Sequence, residues 1–374
     1  MKPLCILITN HSLCEPGGSE LYVCDLAMRL VERSHRPVVY STRLGKLAEK
    51  LLHATVPVID NLDQMGMTPD IIHCHHSLAT ATALLRFPDT PAIYVCHDWA
   101  WHHDTPPRMR RIRRIVAVDQ TVAERIMFRE GRRPDEVQIL HNGIDLRKFR
   151  ARNDLLPPKP RKALVFSNYM REEHVALIRQ ACNHFGIEVD AVGKAAGCPV
   201  ENPENLLTQY DLVFAKGRCA WEAIACGAAV IVCDVRGVGG MARSDNLQQF
   251  LPRNFGRRLL KRSLDTSTIS AEIARYDSLD AAKVTQHVRD TANLDLVVDR
   301  LLNQYHEVIL EHDNDTNCDL AAELRELSRM LAWCDRSQGL WQTNFQGTQV
   351  KPPESKRILR FPGADDLATR KRAV

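Results

Sequence analysis

Short apolar runs alternate with helically spaced ones along this chain, and the alternation stops at a proline-rich stretch and then starts again. Leu4–Thr9 is apolar throughout, and Ser19–Arg33 then carries Leu21, Val23, Leu26, Ala27, Leu30 and Val31 at helical spacing. The pattern continues with predicted strands at Pro37–Ser41, Val56–Ile59, Ile71–Cys74, Ala92–His97, Arg114–Val118 and Val137–His141. Helices are predicted at Lys46–His53, Ser77–Arg86 and Thr121–Glu130. Strands without in–out alternation, joined by helices through short connections, imply a parallel, doubly wound sheet covered on both faces. Residues 151–162 then place Pro157, Pro158 and Pro160 among basic neighbours, which reads as a linker. Strand and helix alternate again over Ala163–Ser167, Glu173–Phe185, Glu188–Val192, Asp211–Ala215, Cys219–Cys226 and Ala229–Cys233.

The expected organisation is α/β: a Rossmann-like domain over 1–150, a hinge over 151–162 and a second Rossmann-like domain over 163–311. Residues 312–374 are expected to be a helical and then loosely ordered extension, with Leu320–Trp333 as its amphipathic helix. A length of 374 residues suits two cores. The run Leu4–Ile8 is too short for a signal peptide or a membrane span, and no run approaches 18 apolar residues. The expectation is a cytoplasmic protein. Twelve cysteines are scattered without a C-x-x-C pair, which favours reduced core residues over disulfides.

Four segments carry candidate chemistry. Gly17-Gly18, between the first strand and its helix, let a backbone approach a ligand closely at a helix N-terminus; a plain turn is the bland alternative. His97 ends a strand at the edge where open α/β sheets bind ligands. Asn142-Gly143-Ile144-Asp145, with Phe149, reads as a tight turn before the linker. Lys216, Gly217 and Arg218 sit where a helix begins, so charge and backbone donors can converge on a pyrophosphate. Glu222, one turn on, has the carboxylate to take both hydroxyls of a ribose, or is a salt-bridged helix residue.

Together these segments resemble the retaining GT-B glycosyltransferases of the family-4 type (glycosyl transferases group 1). The resemblance runs from about residue 4 to about residue 310. It rests on Gly17-Gly18, Pro69-Asp70-Ile71-Ile72-His73, His97-Asp98, Asn142-Gly143-Ile144-Asp145 and Glu222-Ala223-Ile224-Ala225-Cys226-Gly227. It implies a GT-B fold, a nucleotide-diphosphate sugar as donor, and transfer with retention and without metal or cofactor, as in cell-envelope, polysaccharide or glycoconjugate synthesis. The acceptor is left open among glycans, lipid-linked and small molecules. Gly17 and Gly18 would line the donor phosphate, His97 would act beside the transferred sugar, and Glu222 would hold the ribose. Two departures stand out. The first glutamate of the family's usual pair, eight positions before Glu222, is replaced by Phe214. Of the usual basic pair after the second domain's first strand only Arg171 is present, so Lys216 or Arg218 would have to supply the charge. The missing acid opens an alternative: a non-catalytic GT-B nucleotide-binding or scaffold protein.

The His73-Cys74-His75-His76 and His102-His103 clusters raise the question of a metal. The strand ends there, which disfavours a shared face, and no metal site is expected. The basic run Arg108–Arg114 reads as a solvated helix face or as a peripheral contact with an anionic inner membrane face. The net charge of +4 and the absence of a recognisable module argue against nucleic acid.

Overall fold

The computed structural model describes residues 2–99, 102–314 and 321–332. The first sheet is built from β1 (Cys5–Thr9), β2 (Arg36–Tyr40), β3 (Val58–Ile59), β4 (Ile71–Cys74), β5 (Ala92–Cys96), β6 (Ile112–Ala117) and β7 (Val137–Ile139). Helices α1 (Gly18–Glu32), α2 (Lys46–His53), α3 (Ser77–Arg86) and α4 (Gln120–Glu124) connect them. The order is β3-β2-β1-β4-β5-β6-β7, with every pair parallel. β1, β4 and β5 are buried along their whole length, which is why their sequences run apolar without alternation.

The second sheet contains β8 (Lys162–Phe166), β9 (Glu188–Val192), β10 (Leu212–Ala215), β11 (Ala229–Asp234) and β12 (Gly237–Met241). Its helices are α5 (Glu172–Asn183), α6 (Glu204–Leu207), α7 (Arg218–Ala225), α8 (Leu247–Phe250), α9 (Thr266–Ile273) and α10 (Ser278–Thr291), and α11 (Leu294–Asp313) follows. The order is β12-β11-β10-β8-β9, parallel except for β12. Sequence reading misses β12, because three glycines in GVGGM argue against a strand. The structure shows their use. Gly237 has φ +140°, and a Cβ there would run into the Arg262 carbonyl.

The chain crosses between the sheets twice, at 143–150 and at 292–294. The crossings pair as parallel strands: Ile144 N donates to Ala292 O at 2.7 Å and Leu294 N to Ile144 O at 3.0 Å. Gly143, expected to serve a left-handed turn, is absent from the positive-φ residues. It is small because a Cβ would stand 2.6 Å from the Leu294 Cα. Ile144 and Phe149 are buried in the second core, while Asp145 and Arg147 pair with Arg29 and Glu32 of α1. The stretch 151–162 is bonded to the second domain. Arg152 bonds Tyr210 O and Asp211, the Asp211 carboxylate takes the amides of Arg161 and Lys162, and Leu156 is buried in the second core. α11, assigned with the second domain from the sequence, packs against α1, β5 and β6 of the first.

The basic run is not a solvated helix face: its second half is strand β6. Arg111 is buried against Glu323, Arg114 pairs with Glu311, and the Arg108 amide donates to Glu326. These carboxylates come from α11 and the helical residues 321–326, so the guanidiniums expected to meet a membrane are in part used within the chain. No helix among the described residues is long and apolar enough to cross a membrane. The ten cysteines among the described residues are all free. Residues 327–332 are helical and fall in a unit separate from the rest of the described chain. The loosely ordered tail expected after Gln342 lies outside the described residues.

Gly143→Ala is expected to lower stability by about 1–3 kcal/mol, because the new methyl meets backbone that cannot yield. An unchanged melting temperature would contradict this role.

Candidate active site

In a doubly wound sheet, neighbouring connections leave in opposite directions at one point, and the gap above the strands' C-terminal ends holds ligands. Here those points fall between β1 and β4 in the first sheet, and between β8 and β10 in the second. The candidate residues gather at both.

At the second switch point, β10 ends at Ala215 and α7 starts at Arg218, so Lys216 and Gly217 are the whole loop. Gly217 has φ +55° and ψ −133°, a conformation that suits glycine, and it caps α7. Arg218 Nε donates to Glu222 Oε1 at 2.7 Å, and its Nη2 pairs with Asp25 of α1. Burial works against the Arg218 charge, but Asp25 and Glu222 more than offset it and raise its pKa. Glu222 is buried, and burial outweighs the Arg218 charge to hold its pKa above the ordinary value. Lys216 pairs with buried Asp234 and lies 4.6 Å from the Tyr169 ring centroid. Both candidate donor cations are therefore matched to carboxylates of the chain. Arg171, exposed at the start of α5, has no ion-pair partner among the described residues.

Phe214 lies inside β10, fully buried and opposite Val165 and Ile231. Counting back eight residues from Glu222 therefore lands in the sheet core, not at the cleft. The two-residue loop has no place for the acid, so Phe214 is not a substitution within a site.

Sequence reading missed Asp25 and Lys194. Lys194 follows Gly193 at the end of β9. Gly193 has φ +136°, and a Cβ there would collide with the Ser167 carbonyl. Lys194 acts on Glu20 across the cleft, although burial is the stronger influence and raises the Glu20 pKa. Glu20 itself folds back over Gly17, so the start of α1 already has a carboxylate beside it; Gly18 faces open space. A Gly-Lys pair at a strand end was the available signal for Lys194; Asp25 looked like any charged position on α1.

At the first switch point, His97 Nε2 lies 2.9 Å from His75 Nδ1, and Tyr22 stands edge-on to the His97 ring at 4.9 Å. His73 Nδ1 is 2.7 Å from the Tyr305 hydroxyl of α11. His73 and His75 do share a face, with ring centroids 4.8 Å apart, contrary to the expectation from the strand's end. Burial, helped by the Arg218 charge, pushes His97 down to about 3; burial and then His97 push His73 to about 3. The buried Asn10 Oδ1 has no hydrogen-bond partner among the described residues. The amides of His97 and Asp98 donate to Asp104 at 2.7 Å each, which fixes the strand end. Among the described residues no three His, Cys, Asp or Glu side chains are placed to hold a metal. A hollow of about 380 Å³ lined by Met65, Met67, Arg86 and Asp89 lies at the opposite end of this sheet.

Residues 16–148 match the model of Glycosyltransferase Family 4. A glycosyltransferase from Rickettsia africae superposes with a TM-score of 0.61 at 13% identity, over 83% of this chain and 99% of its own. The Anabaena HepE protein in complex with UDP and glucose gives 0.57 at 15% identity, over 80% and 99%; its UDP-glucose complex gives 0.53 at 16%, over 81% and 100%. No curated protein sequence matches. The fold is GT-B, two Rossmann-like sheets with a helical C-terminal region. The likeness to family 4 is confined to residues 16–148, and the likeness to the solved structures is one of fold.

The neutral imidazoles have a measurable consequence. The native state binds fewer protons than the unfolded chain between about pH 3 and 6.5. Their contribution to stability is therefore complete above pH 6.5 and is lost as the pH falls toward 3, at up to about 1.4 kcal/mol per ring and pH unit. In NMR, the Cε1–H signals of His73 and His97 should stay at neutral positions from pH 8 to 5. A midpoint near 6.5 for either ring would overturn the assignment.

Proposed function

We propose that the chain transfers a sugar from a nucleotide-diphosphate sugar to an acceptor, with retention and without metal or cofactor, in glycoconjugate or envelope synthesis on the cytoplasmic side. The observation that carries the reading is the pairing of the two switch points. Arg218, at the start of α7 with Gly217 and Glu222, pairs with Asp25 of α1, and Tyr22 of the same helix stands against the His97 ring at the end of β5. The UDP and UDP-glucose complexes of HepE make a uridine nucleotide the first donor to test. The non-catalytic alternative drew on the missing acid at Phe214, and that position lies in the sheet core.

In this reading Glu222 accepts from the ribose hydroxyls. Lys216, Arg218, Arg171 and the α7 N-terminus neutralise charge on the leaving diphosphate, in the role a divalent cation has elsewhere. Gly18 leaves room for the donor against α1. His97 meets the transferred sugar as a neutral donor or acceptor, and a departing phosphate oxygen takes the acceptor's proton. The chain's own carboxylates on Lys216 and Arg218 hold those cations in place before the donor arrives, so little reorganisation is left to the reaction.

Calorimetry with UDP and a turnover screen of UDP-sugars test this. Glu222→Ala should weaken UDP binding by about 1–3 kcal/mol, and His97→Ala should lower turnover more than donor affinity. Unchanged UDP affinity in the first variant, or full turnover in the second, sinks the corresponding role.

A further inference from the structure

The first switch point also holds three imidazoles that donor chemistry leaves unused. His11 follows β1, His76 follows β4, and His103 lies on the turn after β5. Their ring centroids form a triangle with sides of 5.8, 5.6 and 5.2 Å. The His11 amide donates to His76 Nδ1 at 3.1 Å, so the neutral His76 ring carries its proton on Nε2. Arg43, after β2, brings Nη1 to 3.4 Å from His11 Nε2. His76 adopts φ +61°, a conformation an L-residue keeps only when its surroundings impose it.

The charged groups acting on His11 and His76 are of one sign. Burial lowers the His11 pKa first, and Arg43 lowers it further. Burial lowers that of His76, followed by His103, His97 and His11. None of the groups acting on these two rings is a carboxylate. Asp104, on the same turn as His103, turns its carboxylate to the His97 and Asp98 amides and toward Arg125. A metal ion is the obvious occupant for three histidines, but two lone pairs are already faced by an N–H and a guanidinium. An anion fits: it would replace repulsion among the rings by attraction and draw protons onto them.

We propose that His11, His76, His103 and Arg43 form a subsite for an oxyanion, a phosphate or carboxylate carried by the acceptor, beside His97. The proposal rests on the donor reading above, which places the nucleotide diphosphate at the other switch point and leaves this one to the acceptor.

Sulfate, whose charge is constant between pH 6 and 8, is the probe, titrated into the full chain saturated with UDP and followed through the histidine Cε1–H signals. Sulfate should move the signals of all three rings and bind at least five-fold more tightly at pH 6 than at pH 8. Arg43→Met and His11→Gln, both at exposed positions, should each weaken it at least five-fold. Three results would overturn the subsite: no ring responds, UDP displaces the sulfate, or both variants bind as the parent does and mark an adventitious ion only. Failure of UDP itself to bind counts against the donor reading, and sulfate is then titrated alone. Intact UDP binding with no response to sulfate counts against the subsite only.

Discussion

Arg29 holds the two passages between the sheets together. Its guanidinium, 3% exposed, bonds Asp295 at 2.9 and 3.0 Å and Asp145 at 3.0 Å. Asp145 lies on the outgoing crossing and Asp295 begins the helix that follows the return. One residue of α1 therefore ties both to the first sheet. A buried cation is costly unless it is paired, and here Glu32 of the same helix is joined by one carboxylate from each crossing. The placement of each switch point relative to the other follows from this contact, from the Ile144–Asn293 bridge, and from the close approach at Gly143.

The cleft chemistry inherits that geometry. α1 begins at the Gly17-Gly18 loop and ends beside Arg29, and midway it presents Asp25 to Arg218. The same helix thus fastens the crossing and reaches the start of α7 in the second sheet. Tyr22, on the same helix, covers His97 and His75. A shift of α1 would disturb the Arg218–Asp25 pair and the wall of the imidazole pocket at once.

Much of this was legible in the sequence because parallel sheets buried on both faces write apolar runs that local composition cannot hide. Lys46–His53, Ile71–Cys74, Ser77–Arg86 and Glu188–Val192 coincide with the observed elements. What failed depended on long-range contact. Gly143 looked like a turn residue because nothing local reveals Leu294 above it. Prolines at 157, 158 and 160 mark irregular backbone, but not whether that backbone is bound, and Asp211 binds it. Phe214 was compared by counting residues, although a loop's length is settled only by where β10 and α7 begin and end. The Arg108–Arg114 run looked solvated because its carboxylates lie some 200 positions downstream.

Charge at the donor end follows from the same contacts. Asp25, Glu222 and Asp234 face Lys216 and Arg218, so the anions outnumber the cations until Lys194 and Arg171 are counted. Such an arrangement is stable without ligand, because each buried carboxylate has a partner. It also means that a diphosphate does not enter a bare positive pocket. In the proposed reading it shares cations already engaged, and the surplus comes from Lys194 after β9 and Arg171 at the start of α5. Those two residues sit on the second sheet, whereas Asp25 sits on the first. A donor drawn to them would compete with Asp25 for Arg218, and so couple nucleotide binding to the contact that joins α1 to α7.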